Sequence, residues 1–164
     1  MQCWDGYAEY CQWQGIPYAN CTTTGYVRDI WDNRHTNGTL NHFVEVERLQ
    51  PGDVVVFSVN GSTPLSHIAI FDSDAGGGYG YFLGQNQGGV PNPQGGSNFN
   101  ITKLPYSATY RTAFRPKKFI NTTQKCNNLI ILCSWIIPRK RCIKKFSRLG
   151  IMLWLRRINT IPVS

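Results

Sequence analysis

Helix-type periodicity is confined to the front of this chain, and strand-type runs follow it. From Cys3 to Gln14 apolar and aromatic residues recur at three- and four-residue spacing, and Gly15 and Pro17 end the pattern. A second helix is predicted over residues 24–33. Helices first and strands afterwards predict an α+β domain, with N-terminal helices packed on an antiparallel β-sheet.

Four short β-branched or aromatic runs make up the predicted sheet, at residues 53–59, 66–73, 80–85 and 109–115. Asn-Gly, Gly-Gly and Asn-Pro pairs separate them, and such pairs favour turns. Between the third and fourth runs, residues 87–100 are rich in Gly, Asn, Pro and Gln. We expect this long loop to shape a substrate groove.

Charge divides the chain at residue 116. Residues 1–116 contain six Lys or Arg and all nine acids, whereas residues 117–164 contain eleven Lys or Arg and no acid. We therefore predict a folded domain over 1–116 and a basic, irregular tail over 117–164. Because the positive charge belongs to the tail, it indicates no nucleic-acid partner for the domain.

Two interpretations of the tail stay open. Its charges are scattered and its apolar clusters lack a sustained period, which favours a truncated or frameshifted gene product with little selected structure. The other interpretation is a cationic segment that contacts anionic lipid or wall polymer.

The six cysteines do not form a disulfide or zinc pattern. Three lie in each part of the chain, without CxxC or His-paired spacing, and their density is below that of secreted disulfide scaffolds. Cys11 and Cys21 could in principle pair, but Cys11 falls within the apolar helix pattern and is therefore predicted to be a buried thiol. No cofactor and no metal are expected.

Cys3 and His67 are the candidate catalytic pair. A thiol at the start of a helix has its thiolate stabilised by the unpaired N–H groups there and by the positive end of the helix dipole. His67 opens a strand-like run that follows a Pro-Gly-Asp turn at residues 51–53, and its imidazole could take the thiol proton. His35 and His42 lie in polar loop sequence. We predict Cys3 as nucleophile and His67 as base.

Three sequence words around these residues carry a family resemblance. They read QCWD at residues 2–5, LQPGDVVVF at 49–57 and SHIAIF at 66–71. In this order they resemble the CHAP family, the cysteine- and histidine-dependent amidohydrolases/peptidases with which phages and bacteria cut peptidoglycan. The resemblance covers residues 2–116 and implies a papain-like fold. NlpC-type hydrolases share the order of Cys and His, but they usually place a small residue after an Asp-Cys pair and use a third histidine.

The resemblance also implies a third catalytic group. CHAP enzymes often carry a Glu-Gln-Asn word on the strand after the catalytic histidine, and its Glu and Asn flank that histidine. Here residues 84–86 read Gly-Gln-Asn, so only Asn86 can be carried over as the group that orients His67. The alternative for Asn86 is a turn residue beside Gly-rich sequence.

Asp5 matches a position that contributes to a calcium site in some CHAP relatives. The other ligands of that site lie upstream of the cysteine, where this chain has only Met1 and Gln2. We therefore expect no bound calcium, and Asp5 is predicted to be an acid in the first turn of a helix. Because CHAP members normally have a helix and a loop before the cysteine, the front of the domain is expected to be clipped.

Two functions remain as hypotheses. The first is a monomeric phage or prophage lysin that hydrolyses peptidoglycan as either an amidase or an endopeptidase. With no signal peptide at its start, the chain is expected to be made in the cytoplasm and to reach the cell wall after release or host lysis. The second is an inactive prophage remnant with a cationic tail that associates with membrane or wall.

Overall fold

The computed structural model describes residues 2–61, 63, 65–88 and 96–120 of the chain. The chain divides into two units, Met1–Pro116 and Lys117–Ser164, and every element named below belongs to the first. Most of the predicted tail lies outside the described residues. The elements in chain order are α1 (Cys3–Gln14), α2 (Arg28–Asp32), α3 (Thr39–His42), β1 (Phe43–Val46), β2 (Val54–Phe57), β3 (His67–Gly76), β4 (Tyr79–Gly84), β5 (Asn100–Pro105), a 3-10 turn (Tyr106–Ala108) and β6 (Ala113–Pro116).

Helix α1 has the bounds that the sequence predicts. At its start the backbone N–H of Gln2 donates to the Asp5 carboxylate at 2.6 Å, so Asp5 is a first-turn acid as expected. At its end Gly15 adopts a left-handed φ of 65°, and its N–H bonds to the carbonyls of the last turn. Cys11, on the buried side of this helix, is a fully buried free thiol, which confirms its prediction.

Helix α2 is shorter than predicted. The expected helix over residues 24–33 is reduced to Arg28–Asp32, because the preceding backbone binds a carboxylate instead of continuing the helix. The N–H groups of Thr23, Thr24 and Gly25 all donate to Asp29, at 2.7 to 3.2 Å. Asp29 thereby satisfies donors that would otherwise need helical partners, and the chain forms a loop there.

The six strands form one antiparallel sheet in the order β1-β6-β2-β3-β4-β5. The four predicted strands correspond to β2, β3, β4 and β6, and together with the helices they confirm the α+β prediction. The turn between β3 and β4 is made by Gly77 and Gly78, both at positive φ, as a tight hairpin turn requires. The two edge strands, β1 and β5, were not predicted from the sequence.

Both faces of the sheet are buried at its centre, along β2 and the first half of β3. One face carries an aromatic and aliphatic cluster that includes Val55, Phe57, Ala69, Phe71 and Phe82. The alternate residues of the same strands are also almost fully buried, and we assign their cover to α1, which contacts β3 and β4, and to α2, which contacts β2. In the described part of the chain, no helix is long and apolar enough to cross a membrane.

The Pro-Gly-Asp turn joins the helix layer to the sheet. The Tyr10 hydroxyl of α1 donates to the carbonyl oxygen of Gly52 at 2.7 Å. Asp53 is almost completely buried and accepts two hydrogen bonds from the Arg115 guanidinium, at 2.8 and 2.7 Å. These contacts fix the start of β2, the strand that pairs with β3 and therefore positions His67.

Candidate active site

Cys3 lies at the first turn of α1, with its thiol against the start of β3. The backbone N–H groups of Cys3, Trp4 and Ile68, the last of which follows His67, lower the pKa of the Cys3 thiol. Burial raises the pKa of the Cys3 thiol, and these three donors only partly offset the effect. The predicted stabilisation of the thiolate by the helix start is therefore outweighed by burial, and the Cys3 thiol is protonated at neutral pH.

His67 is the first residue of β3 and is 5% exposed. It pairs across the hairpin with Phe57, and the two rings are 5.7 Å apart. Burial lowers the pKa of His67 below its usual 6.5, partly opposed by a hydrogen bond to Gln87. The imidazole is therefore neutral at pH 7, which is the protonation state of a general base.

The predicted role of Asn86 is not supported by its position. The Asn86 side-chain amide donates to Oε1 of Gln2, the residue before Cys3, at 2.6 Å. The side chain that faces His67 belongs to the next residue, Gln87, whose Oε1 lies 2.8 Å from Nε2 of His67. Gln87 was not predicted from the sequence, because the Glu-Gln-Asn word of the family matches this chain only as far as Asn86. Two features of the sequence pointed to Gln87. Gly84 stands where the family has an acid, and three amide residues, at positions 85–87, follow it.

The backbone is strained on both sides of this contact. Among the described residues, the non-glycine residues with positive φ are Ser66, at 68°, and Asn86, at 54°. They immediately precede His67 and Gln87. Such conformations cost about 1 to 2 kcal/mol each and persist only where surrounding contacts hold them, commonly at functional sites. Ser66 is held in part by the backbone N–H of Arg28, which donates to its hydroxyl at 3.3 Å.

Two further features of the described residues concern metal binding and cavities. In residues 2–61, 63, 65–88 and 96–120, no three His, Cys, Asp or Glu side chains are grouped so that they could hold a metal ion. A cavity of about 330 Å³ lies between the β1–β2 connection and residues 106–113, with Leu49, Val55 and Phe71 in its wall. Neither Cys3 nor His67 is among its described lining residues. The candidate residues at the start of α1 and β3 are thus separate from the described lining of this cavity.

Comparison with known proteins gives first the class of fold. The chain is similar to the crystal structure of the wild-type endolysin LysIME-EF1, with a TM-score of 0.50 and 19% sequence identity, over 71% of this chain and 53% of that one. The helices and the antiparallel sheet thus form an α+β fold that is also found in an endolysin.

Sequence comparison gives a closer relative. Over 128 residues the chain is 63% identical to a protein of Streptococcus phage B30 named D-alanyl-L-alanine endopeptidase. The match takes in 77% of this chain and 28% of the relative, so the chain spans little more than a quarter of the relative's length. No family model matches the chain.

Proposed function

We propose that residues 1–116 form a CHAP-type cysteine endopeptidase that cleaves a D-alanyl-L-alanine bond in peptidoglycan. The observation that carries this proposal is that Cys3 and His67 are the first residues of α1 and β3, two elements that pack on each other. The choice of bond is supported by the name of the 63%-identical phage protein. The fold shared with an endolysin is consistent with a wall substrate.

Acylation begins with transfer of the Cys3 proton to His67. The thiolate attacks the carbonyl carbon of D-alanine, a C–S bond forms, and the carbonyl oxygen takes the negative charge of a tetrahedral intermediate. The imidazolium of His67 then gives its proton to the amine nitrogen of L-alanine as the C–N bond breaks. The fragment with the new L-alanine amino terminus leaves, and D-alanine stays on Cys3 as a thioester.

Deacylation uses the same two residues. His67 takes a proton from water, the hydroxide attacks the thioester carbonyl, and the C–S bond breaks with the electron pair returning to sulfur. Protonation of that sulfur regenerates the thiol and leaves D-alanine as a free carboxylate. The raised pKa of Cys3 and the lowered pKa of His67 make the neutral pair the resting state, so the first proton transfer is part of every turnover.

Digestion of purified streptococcal cell walls tests the bond and the nucleophile together. Turbidity loss would show hydrolysis, and mass spectrometry of the released fragments would show peptides with L-alanine at a new amino terminus and D-alanine at a new carboxyl terminus. Release of stem peptides cut from muramic acid would instead assign an amidase. No release would favour the inactive remnant.

The matched controls for that digestion are two cysteine variants. Cys3→Ala should release nothing, whereas Cys21→Ser changes another free, partly exposed thiol of the same domain and should digest walls at the wild-type rate. Circular dichroism of both variants would show whether the fold is kept. Wall digestion by Cys3→Ala would overturn the proposed mechanism.

A further inference from the structure

The side-chain amide of Gln87 is held at both of its ends. Its nitrogen donates to the backbone carbonyls of Phe82 and Asn100, each at 2.9 Å, and its oxygen lies 2.8 Å from Nε2 of His67. Gln87 is 8% exposed, so water does not compete freely with these hydrogen-bond partners. Both amide protons are therefore used on carbonyl oxygens.

This arrangement decides which way the amide points. The opposite orientation would set the amide oxygen against two carbonyl oxygens, with no proton between them. The group that faces His67 is thus an acceptor, and His67 must donate to it from Nε2. A neutral imidazole carries one ring proton, so with Nε2 protonated its other nitrogen, Nδ1, is the basic one.

The backbone of Gln87 is also held. Its N–H donates to the Ser97 hydroxyl at 3.3 Å, and its carbonyl accepts from the Asn100 side chain at 3.2 Å. The Asn100 side-chain oxygen in turn accepts from Thr102 at 2.7 Å. Gln87 is therefore fixed to the start of β5 and cannot follow His67 if the ring turns.

Because Gly84 has no side chain, the side chain of Gln87 can occupy the space beside it. A Cβ atom on Gly84 would lie 2.9 Å from the Gln87 side-chain oxygen and 3.1 Å from the Cβ of Ala69, closer than side chains pack. The position at which the resemblance expects an acid is thus empty in this chain, and an amide from three residues later fills it. The two positions depend on each other.

We propose that Gln87 is the positioning residue of His67, that it holds the ring with Nε2 protonated and Nδ1 free to take the Cys3 proton, and that Gly84 is required for it to do so. This proposal deepens the proposed function and rests on it for the identity of the reaction. It assigns to Gln87 and Gly84 the role that the sequence analysis gave to Asn86. Neither residue is expected to touch the substrate.

Nitrogen-15 NMR of the full chain at pH 8 tests the tautomer without any substrate. The His67 ring signals, assigned by their loss in His67→Gln, should show a proton on Nε2 in the wild type. Gln87→Ala and Gly84→Ala should both give a mixture of the two tautomers. Gly61→Ala is the matched control because a Cβ there meets open space, and it should keep the wild-type signals.

Kinetics with a soluble peptide that contains one D-alanyl-L-alanine bond test the consequence. Gln87→Ala should lower kcat by about 10- to 1000-fold with KM changed less than about threefold, since orientation of a base acts on the transition state. Gly84→Ala should resemble it, and the double variant should be no slower than Gln87→Ala alone. Gln87→Glu should recover only part of kcat, because one carboxylate oxygen can accept from Nε2 whereas the other faces the Phe82 and Asn100 carbonyl oxygens without a proton between them.

A proton on Nδ1 of His67 in the wild type would overturn the proposal. So would a Gln87→Ala variant that keeps both the single His67 tautomer and the wild-type kcat. If adding Gly84→Ala to Gln87→Ala lowers kcat as much as Gly84→Ala does alone, Gly84 acts independently of Gln87, and that part of the proposal is wrong. Because the tautomer is read without substrate, a failure of the proposed reaction would leave the NMR result standing.

Discussion

The side-chain oxygen of Gln87 lies 2.8 Å from Nε2 of His67, within hydrogen-bond distance of the ring. The residue before it, Asn86, makes a 2.6 Å hydrogen bond to Gln2, next to Cys3. The adjacent amides of Asn86 and Gln87 therefore contact the two parts of the candidate site, Gln87 at His67 and Asn86 beside Cys3. This division gives the two amides different expected effects when each is removed.

Asn86→Ala should reduce kcat less than Gln87→Ala does. Its contact with Gln2 is exposed to solvent, and an exposed hydrogen bond contributes about 1 kcal/mol or less, which corresponds to a several-fold change in rate at most. Parallel measurement of kcat and KM for both variants on the soluble peptide would check this order. If Asn86→Ala shows the larger loss in kcat, Asn86 orients His67 after all.

The pH dependence of kcat/KM should reflect His67. The base must be neutral, and burial lowers the pKa of His67 below 6.5, so activity should persist below that pH before it falls. Gln87→Glu places a carboxylate beside the ring, which should raise the pKa and move the acid limb to higher pH. A profile with the same acid limb in both proteins would contradict this assignment.

His67 should also make the fold less stable in acid. Below pH 6.5 the unfolded chain binds a proton on this residue that the folded chain, with its lower pKa, does not bind. The free energy of unfolding should therefore fall as pH decreases through 6.5 and level off once the folded ring is also protonated. Urea unfolding from pH 8 to pH 5 measures this, and His67→Gln should lose that component whereas His42→Gln should retain it.

The buried ion pair at the Pro-Gly-Asp turn should matter for stability. Arg115→Ala leaves the Asp53 carboxylate, which is 1% exposed, without its cation, and loss of one partner of such a pair costs about 3 to 5 kcal/mol. Arg111→Ala breaks an exposed pair with Glu47, with side chains 85% and 68% exposed, and should cost under about 1 kcal/mol. Chemical unfolding of the two variants compares them directly, and equal losses would contradict the burial argument.

The sequence predicted those parts of the fold in which local pattern and tertiary environment agree. Helix α1 has a clear apolar spacing, an acid in its first turn and a glycine after its last, so both of its ends were predicted correctly. The strands β2 and β3 are continuous apolar runs and were also found. Strands β1 and β5 lie at the sheet edges and contain several exposed or half-buried residues. They therefore lack the continuous apolar run that distinguishes a buried strand from a loop in sequence.

The site was harder to predict than the fold. Motif and element position suffice to propose Cys3 and His67 as candidates, but the side chain that contacts His67 depends on tertiary contacts that no spacing reveals. Gln87 reaches the ring only because Gly84 lacks a side chain and because Asn100, distant in sequence, accepts an amide proton. The burial that raises the pKa of Cys3 is likewise a tertiary property.

Cleavage of a defined peptide in water enriched in oxygen-18 tests the central claim most directly. The peptide carries a single D-alanyl-L-alanine bond, and mass spectrometry follows its products for the wild type, Cys3→Ala and Cys21→Ser. The wild type and Cys21→Ser should release L-alanine at a new amino terminus and place one oxygen-18 in the D-alanine carboxylate, while Cys3→Ala should leave the peptide intact. Cleavage of the same bond by Cys3→Ala would contradict the account.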